Sequence, residues 1–103
     1  MLVAGFALAG PAMAMPAQCS VTGYDTFECD VALDGGGLTF ELPDGGIFAF
    51  TLLEEDVGTA FMVATDARPG QRPRELREFR PVADRPGCWA REAEFEFCVL
   101  VQQ

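Results

Sequence analysis

Hydrophobic and polar residues alternate along much of the chain with the two-residue period of a half-buried β-strand. Leu38-Thr39-Phe40-Glu41-Leu42 sets three apolar side chains on one face and two polar ones on the other. Asp34-Gly35-Gly36-Gly37 precedes this run and Pro43-Asp44-Gly45-Gly46 follows it, and Asp-Gly turns of this kind close hairpins. The next run, Ile47 to Leu53, is apolar except at Thr51, which predicts a strand covered on both faces. Glu54-Glu55-Asp56-Val57-Gly58 then turns the chain into a short strand from Thr59 to Thr65. Near the end, Phe95, Phe97, Val99 and Val101 alternate with Glu94, Glu96, Cys98 and Leu100. This predicts a last strand with its aromatic-aliphatic face turned inward. The expected fold is all-β, a small antiparallel sandwich or barrel of about six to eight short strands.

The segment 68–86 breaks the pattern, because it holds six of the seven Arg and four of the seven Pro. It reads as one long Arg/Pro-rich connection. A short helix from Pro73 to Phe79 is allowed, since Leu76 with Phe79 and Arg74 with Glu78 stand at helical spacing. Connections of this length are commonly functional or disordered, and on such a loop Leu76 and Phe79 would offer an apolar docking contact.

Leu2 to Ala9 is a short apolar run followed by Gly10-Pro11 and the small-x-small pattern Ala12-Met13-Ala14. It reads as a secretory leader spanning 1–14, with a mature domain over 15–103, although no basic residue precedes Leu2. The run is too short, and too interrupted by Gly10-Pro11, for a membrane-spanning helix. Gln18 stands before Cys19 where a lipid-attachment motif needs a small residue. The expected locale is therefore periplasmic or secreted, with no membrane insertion after removal of the leader.

Export changes the meaning of Cys19, Cys29, Cys88 and Cys98. An even number of cysteines in a small exported domain reads as a disulfide framework, and the ten-residue separations fit neither zinc knuckles nor redox Cys-x-x-Cys motifs. Of three possible pairings, Cys19–Cys29 with Cys88–Cys98 is favoured because Gly23-Tyr24-Asp25 turns the chain midway through the first pair. Each bridge would contribute roughly 3 kcal/mol in the chain-entropy account. Long-range bridges remain the alternative, since Ala90 to Ala93 holds no turn residue.

Charge is divided unequally. Between Met15 and Asp66 stand ten acidic residues and no base, while Ala67 onward carries all seven Arg with six acids, for a net charge of −9 overall. One reading is a soluble surface in which the Arg loop folds back onto the acidic sheet. The other is an acidic face that attracts a cationic protein partner and repels nucleic acid. The candidate contacts are the acidic turns, at Asp34, Asp44, Glu54, Glu55 and Asp56, and the arginines Arg72, Arg74, Arg77 and Arg80, whose guanidinium forks suit carboxylates or anionic sugars.

Catalytic chemistry is poorly supplied: His and Lys are absent and Ser20 is the only serine. There is no imidazole for general-base work, no Schiff-base amine and no nucleophile with a basic partner nearby in sequence. A carboxylate pair could serve as acid and base in principle, but a chain of this size with short strands offers little room for a substrate cleft. Tyr24 and Trp89 each lie close to a cysteine in sequence and are expected to pack on a disulfide. The acidic turns show no Asp-x-Asp-x-Asp-Gly calcium loop, so neither a metal nor a cofactor is assigned. Val57-Gly58-Thr59-Ala60-Phe61 resembles, at Gly58 and the aromatic Phe61, the Ser-Gly-x-x-Tyr loop of small periplasmic inhibitors of C-type lysozyme. Both hydroxyl-bearing residues of that loop are replaced here. The resemblance implies a disulfide-bearing β-barrel that blocks a basic enzyme. The expected function is a non-catalytic exported binding module with an acidic surface. The alternatives are an inhibitor of a cationic cell-wall hydrolase and a structural envelope subunit, with oligomeric state left open.

Overall fold

The computed structural model describes residues 13–92 and 94–102. Residues 1–12 of the expected leader 1–14 lie outside the described residues, and Met13 and Ala14 fall in the first strand. Eight strands follow one another: β1 Met13–Val21, β2 Phe27–Asp34, β3 Gly37–Glu41, β4 Ile47–Glu54, β5 Val57–Val63, β6 Arg74–Pro81, β7 Cys88–Arg91 and β8 Phe95–Val101. Each pairs antiparallel with the next, and β1 pairs with β8, so the sheet closes into an up-and-down barrel. Closure gives every strand two neighbours and so covers most of the sheet edge that a small β domain otherwise exposes. The β1–β2 ladder begins at Met13↔Leu33 and Ala14↔Ala32, two residues ahead of the mature start expected from the leader pattern.

An eight-stranded barrel has an interior just wide enough for side chains to fill. Here aromatic rings fill it. Phe48, Phe79 and Phe97 are fully buried, and the ring centroid of Phe97 lies 4.9 Å from Phe48, 4.9 Å from Phe50 and 5.1 Å from Phe79. These separations suit tilted and edge-to-face contacts, which add to the gain from area burial. Phe40 extends the cluster to β3 through Phe48, and Trp89 extends it to β7 through Phe50 at 4.9 Å. Trp89 therefore belongs to the aromatic core. The alternation runs apolar-in and polar-out, with Phe27, Cys29 and Val31 inward on β2 and Glu28 and Asp30 outward.

Both expected disulfides are present, Cys19–Cys29 and Cys88–Cys98. The first lies diagonally across β1 and β2 among the core side chains, with Cys19 fully buried. The second joins residues directly opposite one another on β7 and β8, beside the inward pair Trp89↔Phe97 and so turned to the other face. No glycine stands between these two strands, and Glu94 itself takes up a left-handed φ of 61°.

Two sequence expectations are corrected. β4 is covered on one face only: Phe48 and Phe50 are buried, whereas Leu52 and Leu53 are 40% and 62% exposed. Barrels bury one face of each strand, and the continuous apolar run concealed that alternation. The second correction is larger. Residues 74–81 form β6 and not a helix, which splits the expected 68–86 connection into two shorter ones, and Leu76 and Phe79 are buried in the core. The cause is a β-bulge. Ala60 pairs with Leu76 but Gly58 pairs with Phe79, so β6 carries one residue more than β5 across this stretch, and Glu78 adopts φ 64°. A bulge sets two inward side chains three residues apart, the spacing that sequence periodicity assigns to a helix.

Gly58 is required by the same packing. A Cβ at this position would come within 2.2 Å of the Phe50 ring and 3.0 Å of the Thr51 carbonyl oxygen. Gly58→Ala is expected to destabilise by about 1–3 kcal/mol through overpacking, read as a lower denaturation midpoint with an unchanged slope; a neutral result would show that Phe50 has room to move. Phe97→Ala should cost about 3–5 kcal/mol, as loss of a buried aromatic does, and a loss below about 1 kcal/mol would displace Phe97 from the centre of the core.

Candidate functional site

In an up-and-down barrel the connections after β2, β4 and β6 gather at one end and those after β1, β3, β5 and β7 at the other. This topology divides the acidic turns. Asp34 and the Glu54-Glu55-Asp56 turn share one end, joined by the bond from Leu52 N–H to the Gly36 carbonyl, while Asp44 stands at the opposite end. The arginines are divided too. Arg72 lies in the β5–β6 connection, Arg74 lines a small depression with Tyr24 and Asp44, and Arg77 and Arg80 stand on the wall near β7.

Asp44 is held by its surroundings. Its carboxylate accepts hydrogen bonds from the Gly46 N–H at 2.9 Å and the Tyr24 hydroxyl at 3.0 Å, and its carbonyl accepts one from the Thr65 hydroxyl. The Gly46 N–H, and after it the Tyr24 hydroxyl, hold the carboxyl below the ordinary aspartate value, since both bonds favour the ionised form. Tyr24 is pushed above its ordinary value, first by burial and then by Asp44. Both shifts lead away from neutrality, so this pair latches the β1–β2, β3–β4 and β5–β6 connections together and has no proton to exchange near pH 7. Tyr24 stands 6.5 Å from Phe27, ring to ring.

Among the described residues, the one cluster with metal-ligand spacing is Cys88, Glu96 and Cys98. Its two sulfurs are bonded to each other and Glu96 meets Arg85 at 2.7 Å, so no thiolate is there to bind an ion. The ion pairs of the arginines are also informative. Arg77 meets Glu75 at 3.1 Å and Arg80 meets Glu78 at 3.5 Å, while Arg91 donates to the Arg77 carbonyl at 2.7 Å. No ion pair among the described residues joins an arginine to any of the ten acids between Met15 and Asp66. The ion pairs of Arg77, Arg80 and Arg85 thus stay within the C-terminal half of the chain, with Glu75, Glu78 and Glu96.

A cleft of about 600 Å³ lies where β2 departs from β3. Phe27, Cys29 and Leu42 contribute apolar lining, and the outward carboxylates of Glu28, Asp30 and Glu41 border it without a basic residue. Sequence reasoning did not single out these three acids. Their signal was the alternation Phe27-Glu28-Cys29-Asp30-Val31, which marks Glu28 and Asp30 as outward neighbours on one strand. Their proximity to Glu41 depends on strand order. The segment Val57–Phe61, which carries the likeness to the lysozyme-inhibitor loop, lies within β5 between β4 and β6, and its Gly58, Thr59 and Ala60 are buried. No protein family matches the chain, nor does any curated protein or solved structure. The two disulfides mark an oxidising, extracellular-type environment, and among the described residues no helix is long and apolar enough to cross a membrane.

The latch predicts a pH dependence. A carboxyl whose pKa is lowered by folding stabilises the fold above the ordinary aspartate value, and that contribution is lost as pH falls through the lowered value. Asp44→Asn should therefore shrink the acid-side fall of the unfolding midpoint, and Tyr24→Phe should move the Asp44 titration only part of the way back to its ordinary value, because the Gly46 N–H remains. Equal acid-side slopes for the wild-type and Asp44→Asn proteins would remove the latch.

Proposed function

We propose that this protein is an exported, non-catalytic binding module whose acidic side engages a cationic protein partner in the periplasm or outside the cell. The observation that carries this reading is the persistence of the charge division in three dimensions: among the described residues Arg77, Arg80 and Arg85 pair with Glu75, Glu78 and Glu96, and no arginine pairs with an acid between Met15 and Asp66. Uncompensated charge of one sign steers association with an oppositely charged partner and repels like-charged surfaces such as nucleic acid. The apolar-in alternation supports a water-facing barrel, since a barrel that spans a membrane turns its apolar side chains outward. Catalysis draws no support from the titrating groups, because the perturbed pair Asp44–Tyr24 is tuned away from neutral pH.

The rival readings lack their contacts. The docking residues of a subunit role, Leu76 and Phe79, are interior, and the inhibitor-like segment is a strand and not a projecting loop. The test is to immobilise the oxidised protein, pass envelope extract over it and elute in rising salt. A basic protein released at moderate ionic strength is expected, as screening over a Debye length of about 8–10 Å would dictate. Retention of a partner that resists salt, or of none, would overturn the reading.

A further inference from the structure

The β2–β3 seam is incomplete, and strand geometry says which backbone groups it leaves open. The Pro16 carbonyl accepts from the Gln102 N–H on the β8 side, and the Thr22 N–H likewise donates to the Glu96 carbonyl. Even-numbered backbone groups of β1 therefore face β8, and odd-numbered ones face β2. The partners of those odd residues, Phe27, Cys29 and Val31, turn their backbone groups toward β1. Glu28, Asp30 and Ala32 turn theirs toward β3. Ala32 finds Thr39, and there the ladder stops. Continued in register, Asp30 would meet Glu41, and Glu28 would meet Pro43, which has no N–H to give. Among the described residues no ladder pairing takes up the backbone groups of Glu28 and Asp30. The cleft of about 600 Å³ lies beside this edge.

We propose that an extended Lys- or Arg-bearing segment of a partner protein adds as a strand to this open edge, pairing its backbone with Glu28 and Asp30. Strand addition draws affinity from main-chain hydrogen bonds and specificity from alternate side chains. On the outer side, alternate residues of the added strand stand beside the carboxylates of Glu28 and Asp30, at cross-strand distances of about 4.5–5.5 Å between Cβ atoms. Between them, the other residues meet the apolar lining of Phe27, Cys29 and Leu42. The carboxylates also set the choice of strand: an acidic edge, including that of a second copy, is repelled, a neutral one gains nothing from them, and a basic one is drawn in. The proposal rests on the cationic-partner reading and assigns it a site.

The probe is a short peptide of alternating Lys and Val, titrated against the oxidised full chain, with amide exchange followed by NMR. Binding should slow exchange at the Glu28 and Asp30 amides. N-methylation of the peptide backbone at alternate residues should weaken binding about tenfold, as the loss of two main-chain hydrogen bonds implies. A variant carrying Glu28→Gln, Asp30→Asn and Glu41→Gln should lose the peptide while keeping its thermal midpoint, since all three side chains are exposed. Binding that is indifferent to N-methylation and leaves both amides unprotected would overturn strand addition and leave the cationic-partner reading standing. Failure to bind the peptide, with a basic protein still retained from extract, would overturn the cleft alone. Failure of both would overturn both.

Discussion

Phe97 occupies the point where β8, β4 and β6 come together inside the barrel, and its contacts with Phe48, Phe50 and Phe79 are those on which the rest depends. A chain this short buries a modest fraction of its surface, so the interior has to be filled with few, large side chains. Phenylalanine meets that need with two rotatable side-chain bonds and no polar atom to satisfy. The cost is steric intolerance elsewhere. Gly58 has no space for a methyl because Phe50 lies against it, and β6 accepts a bulge at Glu78 so that Leu76 and Phe79 both reach the interior. The disulfides work at the same margin by shortening the accessible unfolded ensemble. One tethers β1 to β2 from inside the barrel, and the other tethers β7 to β8 from the opposite face of the sheet.

Two of the eight seams are thin. β2 and β3 share three ladder pairs, and β6 and β7 share two. They lie on opposite sides of the barrel, since two strands, β4 and β5, separate them along one arc and two, β8 and β1, along the other. The β6–β7 seam is partly filled by the Arg91 side chain, which bonds the Arg77 carbonyl. Among the described residues the β2–β3 seam receives no such side-chain bond, and the charged groups that line its cleft are all carboxylates. Acidic side chains at the β2–β3 seam and arginines at the β6–β7 seam thus stand on opposite sides of the barrel, while Arg74 shares a depression with Asp44.

The alternation of residues in β3 and β8 and the Asp-Gly turns pointed to an antiparallel β fold, and the turn at Gly23-Tyr24-Asp25 favoured these two disulfides while leaving long-range bridges open. All of them are local: a period of two, a turn motif and a short loop each report on neighbours in the chain. Misreadings arose where a local pattern had two causes. Leu76 and Phe79 stand three apart whether the chain coils or bulges, and Ile47 to Leu53 is apolar whether both faces are covered or the strand ends exposed at Leu52 and Leu53. Distinguishing these requires the neighbouring strand, because a bulge is defined by what it pairs with.

The sequence by itself determined the class of fold, the separation of acidic from basic halves and the poverty of catalytic groups, since each is a matter of composition or short-range spacing. Only the tertiary structure decided that the sheet closes, that Asp44 and Asp34 stand at opposite ends, that Arg77, Arg80 and Arg85 pair within the C-terminal half, and that Glu28, Asp30 and Glu41 border one cleft. Those relations join residues through strand order and register. Register follows from which side chains can share the barrel interior, a condition imposed on all eight strands at once and written in no single segment of the chain.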